Sequence, residues 1–217
     1  MPKQFRLLRG RPVLWWSLKA FREENPETRL ILVLPEDFIS WWKDLFSSLP
    51  EEDRIEHEVT SGGPSRGESV KNGLALIPDG NPGEESLVAI HDAARPMVDS
   101  RLISLGWDTA RQYGAGIPVA PVVDSLRLMR PDGLTEAVNR DQYRAVQTPQ
   151  VFKTSVIKAA YEKAGDKTFT DDAAVAENAG QYIACFEGSP DNMKITNPTD
   201  LAITEVLMEW RNVDGIE

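Results

Sequence analysis

The chain has 217 residues, a formal net charge of -10 at pH 7 and an isoelectric point near 4.8. Its length suits one well-buried domain, and its negative charge disfavours nucleic acid or anionic lipid as a general partner. Cys185 is the single cysteine, which excludes an internal disulfide, and no apolar run reaches the roughly 20 residues that span a bilayer. We therefore expect a soluble protein of a reducing cytoplasm, with no membrane or nucleic-acid partner.

The first part of the chain alternates helix and strand patterns. A helix is predicted in RPVLWWSLKAFREEN, because Pro12 suits a helix start and Leu14, Leu18 and Phe21 recur at helical spacing. The next segments predict, in order, strand TRLILVLP, helix EDFISWWKDLFSSL, strand DRIEHEVT, helix SRGESVKNGLALI, strand SLVAIHD, helix DSRLISLGWDTARQYG and strand AGIPVAPVV. This alternation predicts an α/β fold of Rossmann-like class, with a mostly parallel sheet and helices on both faces.

The alternation stops at about residues 124–147, where SLRLMR, PDG, LTEAV and QYRAVQ predict short strands around a turn. Such an excursion predicts a β-arm on a single domain that spans residues 1–217. Beyond it the sequence predicts helices KTSVIKAAYEKAG and DDAAVAENAG, strand QYIACFEG and a last helix PTDLAITEVLMEWRN. A doubly wound fold usually opens with a central strand and a glycine-rich turn. We expect that this strand and loop are missing from the given sequence, which passes from MPKQFRLLRG directly into a helix.

The histidine and cysteine content limits the chemistry. With His57, His91 and Cys185 alone, a zinc site of three or four nitrogen and sulfur ligands is disfavoured, which leaves a hard, oxygen-bound ion. His91 and Asp92 are neighbours in a predicted strand, so their side chains point to opposite faces and cannot form a catalytic dyad there.

In open α/β sheets the ligand lies beyond the carboxyl ends of the strands, so polar residues after each strand are the candidate site. In SGGPSRGES, Gly62 and Gly63 allow close approach of the backbone, Arg66 offers a fork of donors, and Ser69 adds a hydroxyl. This loop suits a nucleotide base or phosphate. The alternative is a flexible turn with a solvated arginine.

In HDAARP, Asp92 suits Mg²⁺ and Arg95 suits a phosphate beside it, with alanines that leave space for a substrate. The alternative is a helix cap with a surface ion pair. PVVDSLR, which contains Ser125, is indistinguishable from a turn by itself, and Lys194 in DNMKITNPTD could simply face solvent. Taken together with Lys3, these loop cations of an acidic protein indicate phosphoryl or nucleotidyl chemistry.

A family resemblance narrows this class. PKQF, GGPSRGESV, HDAARP, PVVDS, TPQVF, TDDAAVAE and NMKITNPTDL together resemble the 2-C-methyl-D-erythritol 4-phosphate cytidylyltransferases of the non-mevalonate isoprenoid pathway, over almost the whole chain. The resemblance implies that the phosphate of methylerythritol phosphate attacks the α-phosphorus of CTP. The products would be 4-diphosphocytidyl-2-C-methyl-D-erythritol and pyrophosphate, with Mg²⁺ as cofactor and no covalent enzyme intermediate.

The resemblance also implies residue roles. Lys3 and Lys194 would stabilise the charge on the reacting phosphate, and Asp92 would bind Mg²⁺. The implied nucleotide-binding set is Gly62, Gly63, Arg66, Ser69, Asp92 and Ala93, and the implied set for methylerythritol phosphate is Arg95, Ser125, Arg140 and Lys194. Thr148 and Thr170 match nearby positions with a more structural role. In the family the arm crosses to a second subunit, so Arg140 would enter the partner's site in a homodimer.

Two other functions stay open on the sequence. A cytidylyltransferase for another polyol phosphate, such as ribitol 5-phosphate, would use the same nucleotide machinery. A non-catalytic nucleotide-binding homologue would follow if the glycine-rich loop were truly absent.

Overall fold

The structure is a computed structural model that describes residues 2–78, 85–165 and 167–214. The helices are α1 Val13–Glu24, α2 Ile39–Ser48, α3 Arg66–Ala75, α4 Ser100–Tyr113, α5 Thr154–Ala164, α6 Asp172–Asn178 and α7 Pro198–Asp214. The strands are β1 Leu7–Leu8, β2 Arg11–Pro12, β3 Ile31–Leu34, β4 Glu58–Ser61, β5 Leu87–Ile90, β6 Ala115–Pro121, β7 Arg127–Met129, β8 Thr135–Ala137, β9 Arg144–Val146, β10 Gln150–Lys153 and β11 Ala184–Glu187.

The central sheet has the strand order β11, β6, β10, β5, and β9 also pairs with β6. β11 is parallel to β6, whereas β10 runs antiparallel to both β6 and β5. β5, β6 and β11 therefore point in one direction, so their carboxyl ends meet at the same edge as the start of β10. β3 and β4 form a separate parallel pair, and β7 and β8 form an antiparallel hairpin.

The α/β class predicted from the sequence is confirmed, with differences in individual strands. β10 was not predicted from the sequence, because its four residues lead directly into α5 with no turn signal between them. Since β10 is antiparallel, the central sheet is mixed. The segment QYRAVQ supplies β9, which pairs with β6 through Val119 and Val146, so the arm outside the central sheet is residues 124–143, which include the β7–β8 hairpin.

Two other elements are shorter than the sequence predicted. The strand predicted in DRIEHEVT is formed over Glu58–Ser61 alone, after a 3₁₀ turn at Glu51–Asp53. The helix predicted in EDFISWWKDLFSSL opens with a separate 3₁₀ turn at Glu36–Phe38 before α2 begins. Both differences lie next to a proline, Pro35 or Pro50, which holds an extended backbone before each turn.

Hydrophobic residues pack on both faces of the sheet. Ala89 of β5 packs in a cluster with α1, α2, α4 and β3, whereas its neighbours Val88 and Ile90 pack in a cluster with α3, α5, α6 and β10. Successive residues of a strand point to opposite faces, so this division places helices on both sides. Across the described part of the chain, no helix combines the length and the apolar character needed to cross a membrane.

A third cluster joins segments that are distant in sequence. Leu8, Val13, Met97, Ile195 and Met208 are all buried in it. These residues follow or flank the segments of Lys3, Arg95 and Lys194, so apolar burial holds the three segments against one another.

One partly buried histidine, His57, links α2 to the chain before β4. The indole N–H of Trp42 donates to Nε2 of His57 at 2.8 Å, and Nδ1 of His57 lies 2.6 Å from the carbonyl oxygen of Ile55. The carbonyl can only accept, so Nδ1 carries the proton and Nε2 accepts from the indole. Burial lowers the pKa of His57, which favours this neutral form.

We predict that His57 makes folding stability depend on pH. As the pH falls through the ordinary histidine value of 6.5, the unfolded chain gains a proton that folded His57 resists, so the free energy of unfolding decreases. In His57→Gln, the amide oxygen can still accept from Trp42 but does not titrate. Urea titrations between about pH 7 and pH 5 should show the original protein losing stability relative to the variant, by at most about 1.4 kcal/mol per pH unit. A difference that stays constant with pH would contradict the prediction.

Candidate active site

The loop after β5 places Asp92 at the edge where the parallel strands end. Gln150, the first residue of β10, pairs with Ile90, the last residue of β5. This register brings Thr148 against the loop, and its hydroxyl oxygen accepts from the Asp92 backbone N–H at 3.0 Å. β10, which was not predicted from the sequence, therefore helps to fix the backbone of Asp92, which was predicted as a site residue.

His91 supports the same loop from inside the protein. Its Nε2 lies 3.2 Å from the carbonyl oxygen of Arg95, and its Nδ1 lies 3.1 Å from the hydroxyl of Thr148. The carbonyl can only accept, so Nε2–H donates to it and Nδ1 accepts from Thr148. Burial lowers the pKa of His91 to about 4, which keeps the ring neutral. His91 is therefore structural, in agreement with the rejection of a His91–Asp92 dyad.

Cations surround the carboxylate of Asp92. Lys194 Nζ lies 2.8 Å from one oxygen, Arg95 Nε lies 3.8 Å from that same oxygen, and Arg66 Nε lies 3.9 Å from the other. Burial by itself would raise the pKa of Asp92, but the hydrogen bond and charge of Lys194, with the charge of Arg66, bring the pKa below the ordinary value. Asp92 is therefore ionised at neutral pH.

The Lys194 segment lies along the Asp92 loop. Ile195 N–H donates to the carbonyl of Ala94 at 2.8 Å, and the Arg95 guanidinium donates to the carbonyl of Asn192 at 2.7 Å. These bonds position Lys194 beside Asp92 although the two residues are far apart in sequence.

Lys3 reaches the same place from the start of the chain. It lies in the 3₁₀ turn Lys3–Phe5, which is anchored by Phe5 against the rings of Phe38 and Trp41. Burial lowers the pKa of Lys3, and the nearby charge of Lys194 lowers it further. Lys3 is therefore close enough to Lys194 and Asp92 for both charges to act on it.

The loop between β4 and α3 is closely packed on the first turn of the helix. Ser65 caps α3, and Ser69 Oγ accepts from the N–H of Gly63 at 3.1 Å. A Cβ on Gly62 would lie 2.8 Å from Ser69 Oγ, and one on Gly63 would lie 2.4 Å from the Cβ of Glu68. Both glycines are therefore required by packing within the loop, whether or not a ligand approaches them.

The guanidinium of Arg66, which the sequence offers as a fork of donors, is paired with a carboxylate within the chain. Its two terminal nitrogens donate to the carboxylate of Asp172 at 2.9 and 2.5 Å, and the hydroxyl of Tyr161 donates to the same carboxylate at 2.6 Å. The role of Asp172 was not predicted from the sequence, because two aspartates before AAVAE are ordinarily explained as a helix cap. Asp171 does cap α6 through the N–H of Ala174, while Asp172 points inward.

The remaining predicted residues divide between the Asp92 cluster and the arm. Arg95 lies in the cluster, and Ala93 follows Asp92 in the same loop and packs against the hydrophobic core. Ser125 and Arg140 are exposed, and the Arg140 guanidinium donates to the carbonyl of Val123. Among the residues that the structure describes, no hydrogen bond or ion pair joins Ser125 or Arg140 to Asp92.

Asp92 is the candidate metal ligand of this site. Within the described ranges, no group of three or more His, Cys, Asp or Glu side chains could hold a metal by itself. Mg²⁺ usually retains waters and binds one or two carboxylates together with substrate phosphates. Asp92 fits this pattern as a single carboxylate that would complete its ligand set with phosphate oxygens.

Comparisons with known proteins give matches to one family. The model of the 2-C-methyl-D-erythritol 4-phosphate cytidylyltransferase family matches residues 1–210. A protein of that name from Bacteroides thetaiotaomicron is 42% identical over 208 residues, which cover 96% of this chain and 91% of the relative. The crystal structure of the enzyme of that name from Thermus thermophilus aligns with a TM-score of 0.79 at 31% identity, over 96% of this chain and 94% of the other. That of a 4-diphosphocytidyl-2C-methyl-D-erythritol synthase from Anaerococcus prevotii has a TM-score of 0.81 at 26% identity, over 95% and 93%.

Proposed function

The chain belongs to the 2-C-methyl-D-erythritol 4-phosphate cytidylyltransferase family, and we propose that it transfers the cytidylyl group of CTP to 2-C-methyl-D-erythritol 4-phosphate. The products are 4-diphosphocytidyl-2-C-methyl-D-erythritol and pyrophosphate, in the non-mevalonate route to isoprenoids. The observation that carries this proposal is the gathering of Lys3, Arg66, Arg95 and Lys194 around Asp92, at the carboxyl ends of the strands.

This arrangement suits an in-line displacement at phosphorus. Such a reaction depends on correct positioning and on fixed positive charge near the phosphate oxygens, since little covalent chemistry is left to the protein. Lys3 and Lys194 are assigned to the charge that develops on the α-phosphate. In an acidic protein, this local cluster of cations also meets the need of a highly anionic substrate.

The two substrates are assigned to different parts of the site. The CTP part comprises the loop with Gly62, Gly63, Arg66 and Ser69, with Asp92 and Ala93 beside it. The methylerythritol phosphate part comprises Arg95 and Lys194, together with Ser125 and Arg140 from the arm region. The single cysteine and the composition support a cytoplasmic location.

The reaction is tested with one lysine variant. We expect Lys194→Ala to lower the rate of pyrophosphate release from CTP and methylerythritol phosphate by about 10² to 10³, because the reacting phosphate loses a charged donor. Lys19, a partly exposed lysine paired with Glu23, gives the matched control, and Lys19→Ala should retain turnover within about twofold. Near-normal turnover of Lys194→Ala would contradict its assignment.

The same assay separates the alternative functions. Turnover with ribitol 5-phosphate and not with methylerythritol phosphate would show that ribitol 5-phosphate is the substrate. Binding of CTP without turnover of either substrate would favour a non-catalytic homologue.

Mg²⁺ is assigned to Asp92 as a cofactor that is held jointly with the nucleotide. When bound, it would screen the charge of the triphosphate. Asp92, ionised and held by Thr148 through its backbone, is the protein's part of that ligand set.

This assignment predicts that the effect of Mg²⁺ on CTP binding requires the carboxylate of Asp92. Calorimetry should show that added Mg²⁺ strengthens CTP binding at least about tenfold, and that Asp92→Asn removes most of this gain. Asp108→Asn, which changes an exposed carboxylate paired with Arg111, should retain it. An unchanged gain in Asp92→Asn would contradict the assignment.

The arm is assigned to a homodimer. Its hairpin exposes Leu128, Met129 and Leu134, which are 56%, 68% and 63% accessible in the single chain. Large apolar side chains exposed within one short hairpin are typical of an interaction surface. Since Arg140 and Ser125 are not joined to the Asp92 cluster within the described part of one chain, the proposed site takes Arg140 from the partner.

Mixed dimers test this exchange. Arg140→Ala and Lys194→Ala homodimers should both be nearly inactive. Co-expressed in equal amounts, they should form heterodimers with one intact site, in which Lys194 of one chain meets Arg140 of the other. The mixture should recover about a quarter of the original turnover, because half of the dimers carry one working site of two. No recovery would show that Arg140 serves its own chain.

A further inference from the structure

A buried carboxylate outside the proposed substrate contacts holds Arg66 in place. Asp172 is 0% exposed, and its oxygens accept from the Arg66 guanidinium and from the hydroxyl of Tyr161. A buried carboxylate is costly unless it is paired and hydrogen-bonded, and here both conditions are met. The two terminal nitrogens of Arg66 face Asp172, which fixes the plane of the guanidinium.

The position of Asp172 is itself fixed by β10. Gln150, which is 1% exposed, donates to the carboxylate of Asp171 at 2.9 Å and accepts from the N–H of Ala173 at 2.8 Å. These bonds attach the start of α6 to the central sheet on both sides of Asp172. The carboxylate therefore does not depend on Arg66 for its place in the structure.

Arg66 lies between two carboxylates and contacts only one of them directly. Its Nε is 3.9 Å from Asp92, beyond a direct hydrogen bond, whereas its contacts with Asp172 are direct. Burial by itself would lower the pKa of Arg66, but the bound Asp172 raises it above the ordinary arginine value, as expected for a strong pair. Without Asp172, the nearest remaining carboxylate for this guanidinium, among the described residues, is Asp92.

We propose that Asp172 is a positioning residue for the nucleotide, which holds the Arg66 guanidinium at the loop after β4 and prevents it from closing onto Asp92. The inference rests on the proposed function for the identity of the nucleotide. Asp172 touches neither substrate in this scheme and acts through Arg66. Its removal should therefore weaken CTP binding more than it affects methylerythritol phosphate.

The first test is Asp172→Asn, which keeps the shape of the side chain and removes its charge. By calorimetry with CTP and Mg²⁺, we expect the dissociation constant to rise about tenfold, because Arg66 loses its fixed orientation. At saturating CTP, the KM for methylerythritol phosphate should change by less than about twofold. A general loss of structure would not produce this split.

A double-mutant cycle shows whether Asp172 acts through Arg66. Arg66→Gln should weaken CTP binding at least as much as Asp172→Asn, and adding Asp172→Asn to Arg66→Gln should weaken it no further. Additive losses would overturn the proposal, as would an Asp172→Asn protein that binds CTP within about twofold of the original.

Glu24 supplies the matched control. It is a partly buried carboxylate that accepts from Ser104 and from the indole of Trp107 and joins α1 to α4 away from Arg66. Whatever its cost in stability, Glu24→Gln should leave CTP affinity within about twofold. If Asp172→Asn does not fold, Tyr161→Phe takes its place in the cycle. Tyr161→Phe keeps the charge of Asp172 and removes the hydroxyl that donates to it. This variant should weaken CTP binding about threefold when Arg66 is present and should have no effect in Arg66→Gln.

Binding and turnover separate this proposal from the proposed function. If the unaltered protein binds CTP but turns over neither polyol phosphate, the proposed function is overturned. The coupling between Asp172 and Arg66 in CTP binding can still be measured in that case. If turnover is normal but the coupling is absent, the positioning role alone is overturned. A protein that binds no CTP overturns both.

Discussion

The site depends on one charge balance, the ionised carboxylate of Asp92 among Lys194, Arg95 and Arg66. Like charges crowded together at a sheet edge repel one another, and a protein of net charge -10 has little other reason to gather them. Asp92 offsets this repulsion when no nucleotide is bound. In the proposed function, a triphosphate would bring several more negative charges to the same cations, so the arrangement would be stable before substrate binding and complementary to the substrate afterwards.

The antiparallel strand β10 explains how this balance is held in place. The residues that lead into it present Thr148 to the N–H of Asp92, and its first residue, Gln150, attaches the start of α6. One short strand therefore supports both the carboxylate at the centre of the site and the carboxylate that holds Arg66. Rigid elements position side chains more precisely than loops do. Here the Asp92 loop and the start of α6 are held by hydrogen bonds to β10 and to the residues that lead into it.

The sequence predicted the parts of this structure that depend on local pattern. The helix and strand alternation, the α3 helix after SGGP and the strand before HDAARP all follow from patterns within a few residues. β10 does not, because QVFK is too short to show a period and runs directly into a helix. Asp172 does not either, because a carboxylate at a helix start is ordinarily a cap, and its contact with Arg66 joins residues 106 positions apart. The gathering of Lys3, Asp92 and Lys194 was predicted by family resemblance and strand topology, since no local pattern relates residues so far apart in sequence.

The CTP part and the methylerythritol phosphate part of the proposed site differ in how well their side chains are ordered before a substrate binds. On the CTP side, Ser69, Arg66 and the two glycines are already fixed by hydrogen bonds and close packing, so little conformational entropy remains to be lost when the nucleotide binds. On the other side, Ser125 and Arg140 are exposed on the arm, and their order must come from another contact. A partner subunit that covers the apolar hairpin would supply it. Selectivity for the polyol phosphate would then depend on assembly, whereas recognition of the nucleotide would be a property of the single chain.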